Sequence, residues 1–597
     1  MSESISNERL SKRNLWGYSM GGIGRDMAYQ LVNTYLLTFI TFTKGLSNTE
    51  FAMVGVIMVI CRIFDGCNDP FMGSLIEITR TKIGKFKPWI LAGVFTNVAV
   101  IIALFCVPLR GTSYLIFFAF GYLLWGMTYT MNDISYWGML PSLTSNPGDR
   151  NNLTTLANIG AGIGAGLSVL AIPSLTQGNL AIASNASKSY AIVSIIVCIV
   201  FFVCQIMTVF VVKEKPLPKV RVDDGEKRSL KDMFKVIFKN DQLKPVMASM
   251  LLYNIGSCIT MALASYWIYY RFAYQGLLVT LFTVISGVST LVIVFFPMMC
   301  KKHSRRWISK LSMIMIIVGY LLMFVISLTT GINPDADKVG FKIGEVLIPV
   351  TFIFTGLTGA CAFFGQTLFY QVLTISVANT VEYNEYKTGM RDEGVIFACR
   401  PFTAKLGSAA VVGITTLVVL ALGLNPTNKA ISNADYEAGQ LAVQVEQLVK
   451  DETPNFDSLS KEEQTKLIEA KKKSIETENV AKIENIIHTN EDTKVAKWQY
   501  QTMFAFMTLL PLVILLGSFA IYFKKYNISE ERYDEICAEI AKRKLAAEGS
   551  AEVVLDGADV NELENDLASS DAETPDEIFE QEAAADKISK APDEVEK

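Results

Sequence analysis

The chain has 597 residues, 51% of them hydrophobic and 19% charged, with a mean hydropathy of +0.33. Soluble proteins carry about a quarter charged residues, so apolar side chains here hold positions that water normally claims, and a soluble globular protein is excluded. The net charge of −4 conceals two opposed parts: from Tyr526 onward 7 Lys and Arg face 22 Asp and Glu, a net of −15, which leaves +11 for residues 1–525. A basic apolar body with an acidic polar tail is the composition of a membrane protein with a solvated terminus.

Crossing the hydrocarbon takes about 20 mainly apolar residues, because a helix rises 1.5 Å per residue across roughly 30 Å. Twelve stretches meet that length: 16–43, 51–79, 88–108, 113–141, 153–174, 190–212, 246–270, 272–299, 311–330, 346–377, 396–424 and 502–523. The 33 residues between the sixth and seventh form a polar, Lys-rich connector that divides them six and six. Basic loops follow the second span (Arg80, Lys82, Lys85, Lys87) and the eighth (Lys301, Lys302, Arg305, Arg306), whereas the alternate short loops carry one or two basic residues. The basic loops therefore face the cytoplasm, and both termini lie there. Residues 1–13 are polar and charged, and no cleaved signal peptide is expected.

These features set the expected domains: an N-terminal six-helix half (1–212), a cytoplasmic connector (213–245), a C-terminal six-helix half (246–524) and an acidic, disordered cytoplasmic tail (525–597). A polar insertion at 426–499, rich in helix-forming residues, falls on the non-cytoplasmic side as a solvated helical appendage, with a partner- or substrate-capture module as the alternative. Long segments translocate regardless of their lysines. The tail opens on a stretch, 530–547, that reads as an amphipathic helix.

Most of the ten cysteines sit inside apolar runs without metal-binding spacing, and the two histidines, His303 and His488, are far apart. Neither a metal centre nor a cofactor is expected, only a coupling ion. No nucleophile and base pair or phosphate loop presents itself, so the chain is not read as an enzyme.

Charge inside a span is costly and marks function. Asp26 lies in the first span, Asp65 and Asp69 in the second, and Asp133 in the fourth. Asp65 and Asp69, four apart on a helix, share a face. Two carboxylates at that separation repel in a low dielectric, and a shared cation or one proton relieves them, which makes the pair an Na+ or H+ site. The bland alternative is a structural ion pair of Arg62 with Asp65. Lys405, in the eleventh span, needs a carboxylate partner and should stand beside this pair as an alternating counter-charge. In the fourth span Asp133 and Trp137 are again four apart, a carboxylate to accept sugar hydroxyls beside an indole face to pack on ring C–H groups.

The segments Gly24-Arg25-Asp26, Arg62-Ile-Phe-Asp65-Gly-Cys-Asn68-Asp69-Pro70, Gly84-Lys-Phe-Lys-Pro-Trp89 and Trp125-Gly-Met-Thr-Tyr-Thr-Met-Asn-Asp133 resemble the glycoside-pentoside-hexuronide:cation symporters of the major facilitator superfamily, as do Asn379-Thr-Val-Glu382-Tyr-Asn-Glu-Tyr-Lys387 and Lys405-Leu-Gly-Ser408-Ala. The resemblance implies an all-α membrane protein with the major facilitator fold, twelve transmembrane helices in two six-helix halves. It also implies a cell-membrane symporter that brings a sugar inward with Na+ or H+ by alternating access. Asp65, Asp69, Thr130 and Lys405 would form the cation site, with Asp65 and Asp69 as the Na+ ligands. Arg25, Asp26, Tyr129, Asp133 and Trp137 would form the sugar site. Three further sugar-site positions depart from the family's pattern: Asn158 stands for an arginine, Tyr370 for a tryptophan and Arg400 for a neutral amide. Arg400 suits a carboxylated sugar or pairs with Asp392 or Glu393.

Two alternatives share the sequence features. A carrier of the same fold for a lipid-like or amphipathic solute needs an apolar, side-opening cavity, against which the polar set Asn33, Asp26, Asp133, Asn158 and Gln371 speaks. A non-transporting membrane sensor has no use for the intramembrane aspartates.

Overall fold

The computed structural model describes residues 10–144, 146–214, 239–330, 338–343, 346–390 and 392–555. Among the described residues, those from 12 to 421 and from 497 to 525 follow the expected alternation of long apolar helices and short polar turns. Helix α1 (Lys12–Thr43) begins where Ser11 Oγ accepts the Asn14 N–H, and α2 (Asn48–Ile78) begins at a capping box between Ser47 and Glu50, each of which satisfies free N–H groups of a first turn. There follow α3 (Lys87–Cys106), α4 (Gly111–Met139), α5 (Pro147–Thr176) and α6 (Ala186–Val211). The second group consists of α7 (Leu243–Arg271), α8 (Gly276–Thr290), the short α9 (Phe296–Lys302), α10 (Arg305–Thr330), α11 (Val350–Thr388) and α12 (Glu393–Ala421). A small hairpin, β1 (Gly340–Ile343) with β2 (Val346–Pro349), precedes α11 in antiparallel register, Gly340 opposite Pro349.

Among the described residues ten helical stretches are long and apolar enough to cross a membrane: α3 to α7, α8 continued through α9, α10, α11, α12, and the last long apolar helix, Lys497–Lys525. The two expected spans outside that set are α1 and α2, which are 32 and 31 residues long and carry Arg25 with Asp26 and Asp65 with Asp69.

Two boundaries differ from the hydropathy reading. The apolar run at 272–299 hides a turn, because Ala273 and Tyr274 adopt positive φ (52° and 63°) and the helix starts only at Gly276. Hydropathy records composition and is blind to the left-handed backbone that reverses the chain there. The expected span at 346–377 begins four residues later and runs on to Thr388, since Glu382, Glu385 and Lys387 extend past the apolar part on the same helix.

Helix pairing repeats between the groups. In the first, α1 packs on α5 and α6, α3 on α4 and α6, and α2 on α4. In the second, α7 packs on α12 and on α16 (Lys497–Lys525), α10 on α11 and α16, and α8 on α11. The groups meet symmetrically, α2 against α12 and α5 against α8.

One end of the bundle carries the 426–499 segment and is here called the insertion end; the other carries the start of the connector. At the insertion end the two groups are in contact. Phe42 of α1 lies 5.1–6.1 Å, ring to ring, from Tyr266, Tyr269, Tyr270 and Tyr274. Thr41 and Tyr266 share a hydrogen bond of 3.0 Å, and Ser174 and Thr280 one of 2.8 Å.

The insertion itself is helical, as expected: α13 (Asn425–Val443), α14 (Val445–Glu452) and α15 (Lys461–His488). Ser460 and Glu463 close a capping box at the start of α15, and Ala438, Val445, Val449, Phe456 and Ile475 make a small core of its own. Beyond Glu530 the chain is a separate unit, of which the described part is the helix Glu530–Leu555; the expectation of disorder for the rest of the tail lies outside the described residues, as does most of the connector.

Helix α1 packs closely on α5. A Cβ placed on Gly160 would strike the Ser19 carbonyl, and one on Gly164 the Ile23 carbonyl, whereas nothing stands within 4 Å of Gly162 or Gly166. Gly164→Leu should therefore abolish a monodisperse folded protein, while Gly162→Ala and Gly166→Ala leave the melting temperature unchanged or slightly raised, as size exclusion and thermal melts in detergent would read.

Candidate functional site

Four helices bring their charged residues to one cavity of about 320 Å3: α1, α2, α4 and α12. Trp125, Tyr129, Asp133 and Trp137 all line it, at intervals of four along α4, so they form a single stripe down one helix face.

On α2, Asp65 and Asp69 share that spacing, and between them stands the Lys405 ammonium from α12. Its Nζ lies 3.0 Å from Asp65 Oδ2 and donates to both oxygens of Asp69 at 2.7 and 2.6 Å. Thr130 Oγ1 of α4 donates to Asp65 Oδ1 at 2.7 Å and approaches Asp69 Oδ1 at 3.4 Å. Lys405 thus fills the place of the shared cation that the carboxylate pair requires, and it comes from the other helix group.

A second ion cluster adjoins the first. Arg25 is 3% exposed; its Nε and Nη2 donate to Asp26 Oδ2 at 3.0 and 2.6 Å, and its Nη1 donates to Asp133 Oδ1 at 2.7 Å. The guanidinium carbon lies 4.8 Å from the ring centres of both Tyr136 and Trp137. Fork geometry, weak hydration and a flat face suit arginine to a buried position between two carboxylates and two aromatic rings. Arg25 uses one oxygen of each carboxylate. The cavity lining carries four carboxylates against Arg25 and Lys405, an excess of two negative charges.

Arg62, the alternative partner for Asp65, turns elsewhere. It donates to Asn33 Oδ1 and lies over the rings of Trp125 and Tyr122 at 5.4 and 5.9 Å. Its charge is neighbour to the cavity without lining it, and Asn33 is occupied by it.

Nine expected residues are therefore gathered: Asp65, Asp69, Thr130, Lys405, Arg25, Asp26, Tyr129, Asp133 and Trp137. Asn158, Tyr370 and Arg400 are not among the lining residues. Asn158 is exposed and donates to the Thr154 carbonyl of its own helix at 2.9 Å. Arg400 Nε donates to Tyr370 Oη at 3.0 Å, and Tyr370 stacks 5.4 Å from Tyr253. Arg400 thus turns to Tyr370, and Asp392 accepts from Asn384 Nδ2 at 3.0 Å.

A family model described as MFS/sugar transport protein matches residues 17–442. The chain belongs to that family. The match takes in every residue of the cavity and agrees with the resemblance carried by the α1, α2 and α4 segments. Members of this MFS/sugar transport family are carriers, not enzymes. The chain is 26% identical to the raffinose carrier protein of Pediococcus pentosaceus over 437 residues, 71% of this chain and 64% of the relative. It is 28% identical to the lactose permease of Lactobacillus delbrueckii subsp. bulgaricus over 419 residues, 68% and 63%. To the isoprimeverose transporter of Lactiplantibacillus pentosus it is 27% identical over 414 residues, 68% and 80%. The matched stretch spans a little under two thirds of the length of the first two relatives.

The structure adds Tyr29 and Trp125, whose rings lie 5.0 and 5.8 Å from Tyr129 and form an aromatic floor. Both carried a readable signal: Trp125 extends the interval of four back from Tyr129, and Tyr29 follows Asp26 by three on α1. Pro401 and Ala404, also in the wall, had none, because small apolar residues on an apolar helix look alike.

Arg25→Leu leaves the Asp26 and Asp133 carboxylates facing each other unpaired and should cost about 3–5 kcal/mol. Arg25→Lys keeps the charge without the fork and should fall between that variant and the parent in thermal melts of detergent-purified protein. Equal melting of all three would show that the cluster is not held by this pairing.

Proposed function

We propose that this chain is a secondary active transporter that carries a glycoside, pentoside or hexuronide into the cell together with Na+ or H+. Spans α1 and α2 complete twelve, the connector end with its lysines and arginines faces the cytoplasm, and the insertion lies outside the cell membrane. The similarity to carriers of raffinose, lactose and isoprimeverose supports a saccharide as the solute.

One observation carries the coupling: Lys405 is bound by Asp65 and Asp69 at the contact of α2 with α12, beside the Arg25 cluster and in the same cavity. A cation that enters between the two carboxylates competes with the ammonium for the same oxygens. Displacement of Lys405 frees α12 from α2, so loading the ion changes how the two groups hold each other. The carboxylate oxygens that Arg25 leaves unused on Asp26 and Asp133 accept sugar hydroxyls, and Trp137, Tyr129 and Trp125 supply faces for the ring C–H groups. Coupling is then the difference in free energy between singly and doubly loaded states, about 1–3 kcal/mol in typical cases.

The test is uptake by proteoliposomes of labelled glycosides, pentosides and hexuronides, under separately imposed Na+ and pH gradients. The parent should accumulate at least one of them under one gradient. Asp65→Asn and Asp69→Asn should lose cation-stimulated uptake and keep sugar binding, whereas Asp26→Asn should weaken sugar binding itself. Cation dependence that is unchanged in both α2 variants overturns the ion site.

A further inference from the structure

The turn between α9 and α10 is only two residues long, His303 and Ser304, and it joins two helical stretches that are each long and apolar enough to cross a membrane. The polar headgroup layer is about 5–7 Å deep on either side of the hydrocarbon, and a helix rises 1.5 Å per residue. So short a turn holds Lys301, Lys302, Arg305 and Arg306 within that layer at the connector end. Lys310, just over one turn down α10, reaches it with its long side chain.

These five cations are unevenly matched. Arg305 Nε donates to Glu530 Oε1 at 3.0 Å. Lys301, Lys302, Arg306 and Lys310 are exposed and have no carboxylate partner among the described residues. Lysines elsewhere on the surface do have one: Lys387 pairs with Asp241, Lys471 with Glu452 and Lys482 with Glu437. Like charges crowded around one turn repel, and an anion among them turns that repulsion into attraction.

The surface below the cluster selects the kind of anion. Along α10, Trp307, Lys310, Ile314, Val318, Leu321 and Val325 are exposed at intervals of three and four, so they form one stripe down the helix. Across the turn, Phe295 and Met298 are exposed and lead to Lys302 by the same intervals. Trp307 is 43% exposed and its ring stacks on that of His303, 3.9 Å between centres, which is the amphipathic aromatic expected at headgroup level. A soluble anion would use the charges alone. A phospholipid uses the charges and the apolar stripe together.

We propose that the α9 to α10 turn is a binding site for an anionic phospholipid of the leaflet at the connector end. Its phosphate lies among Lys302, Arg306 and Lys310, and its acyl chains run down the stripe from Trp307 to Val325. The basic loop between α2 and α3 is differently disposed, since Lys87 Nζ donates to the Val212 carbonyl and Lys85 lies over the Phe86 ring. The site depends on the spans and not on the transport reading.

The experiment titrates the full chain in detergent micelles with phosphatidylglycerol and phosphatidylcholine and counts bound lipid by native mass spectrometry. The parent should hold one phosphatidylglycerol per chain in preference to phosphatidylcholine. Arg306→Gln with Lys310→Gln should weaken it about fivefold for each cation removed. Lys82→Gln with Lys85→Gln, which takes the same charge from the other basic loop, should leave it unchanged, as should the charge-keeping pair Arg306→Lys with Lys310→Arg. In bilayers, phosphatidylglycerol with brominated acyl chains should quench tryptophan emission more than brominated phosphatidylcholine does, and Trp307→Phe should abolish that difference. Equal retention of the two lipids, equal weakening by the two glutamine pairs, or a quenching difference that survives Trp307→Phe overturns the proposal. Displacement of the lipid by an equal concentration of sn-glycerol 3-phosphate makes the phosphate alone the ligand and overturns it as well.

Discussion

An ammonium held between two carboxylates at the contact of two helix groups is the interaction on which the arrangement depends. Asp65 and Asp69 stand on one face of α2 because they are four apart, and in a low dielectric they cannot both stay ionised without a positive charge between them. Lys405 supplies it from α12 with contacts of 2.6 to 3.0 Å, so the electrostatic need of one helix becomes a tie to the other group. Thr130 of α4 completes the set and fixes the depth of the pair within the first group.

The Arg25 cluster obeys the same rule within one group. Its guanidinium lies between Asp26 and Asp133 and against two aromatic rings, and it is neutralised twice over without any help from across the interface. The two clusters share a cavity and differ in what breaking them does: loss of the Lys405 contact loosens the groups, whereas loss of the Arg25 contacts disorders the cavity wall. On the proposed transport reading, the first would be an ion site that governs movement and the second a solute site that stays preformed.

Packing at the insertion end supplies the opposing restraint. Phe42 sits among four tyrosines of the second group, and α13 follows α12 after a short turn yet spends its buried carboxylate, Asp435, on the first turn of α6. Chain connectivity assigns the insertion to one group and its hydrogen bonds attach it to the other, so it spans the seam at that end of the bundle.

By itself the sequence determined the membrane class, the apolar helices, the helical character of the insertion and nine of the twelve candidate residues that share the cavity. Most of these follow from local composition or from a spacing of four along one helix, where a carboxylate in an apolar run has few places to go, whereas Arg25 and Thr130 follow only from the resemblance to the symporter family. It did not determine that the run at 272–299 contains a left-handed turn, since backbone reversal at Ala273 and Tyr274 leaves no mark on hydropathy. Nor did it fix where Arg62 and Arg400 point: one turns to Asn33 and the other to Tyr370, partners 29 and 30 residues away on other helices. Lys405 was expected beside the aspartates, but that it bridges both of them, and that Asp435 is matched to the start of α6, was settled only by tertiary structure, because charge pairing across hundreds of residues depends on which helix faces meet.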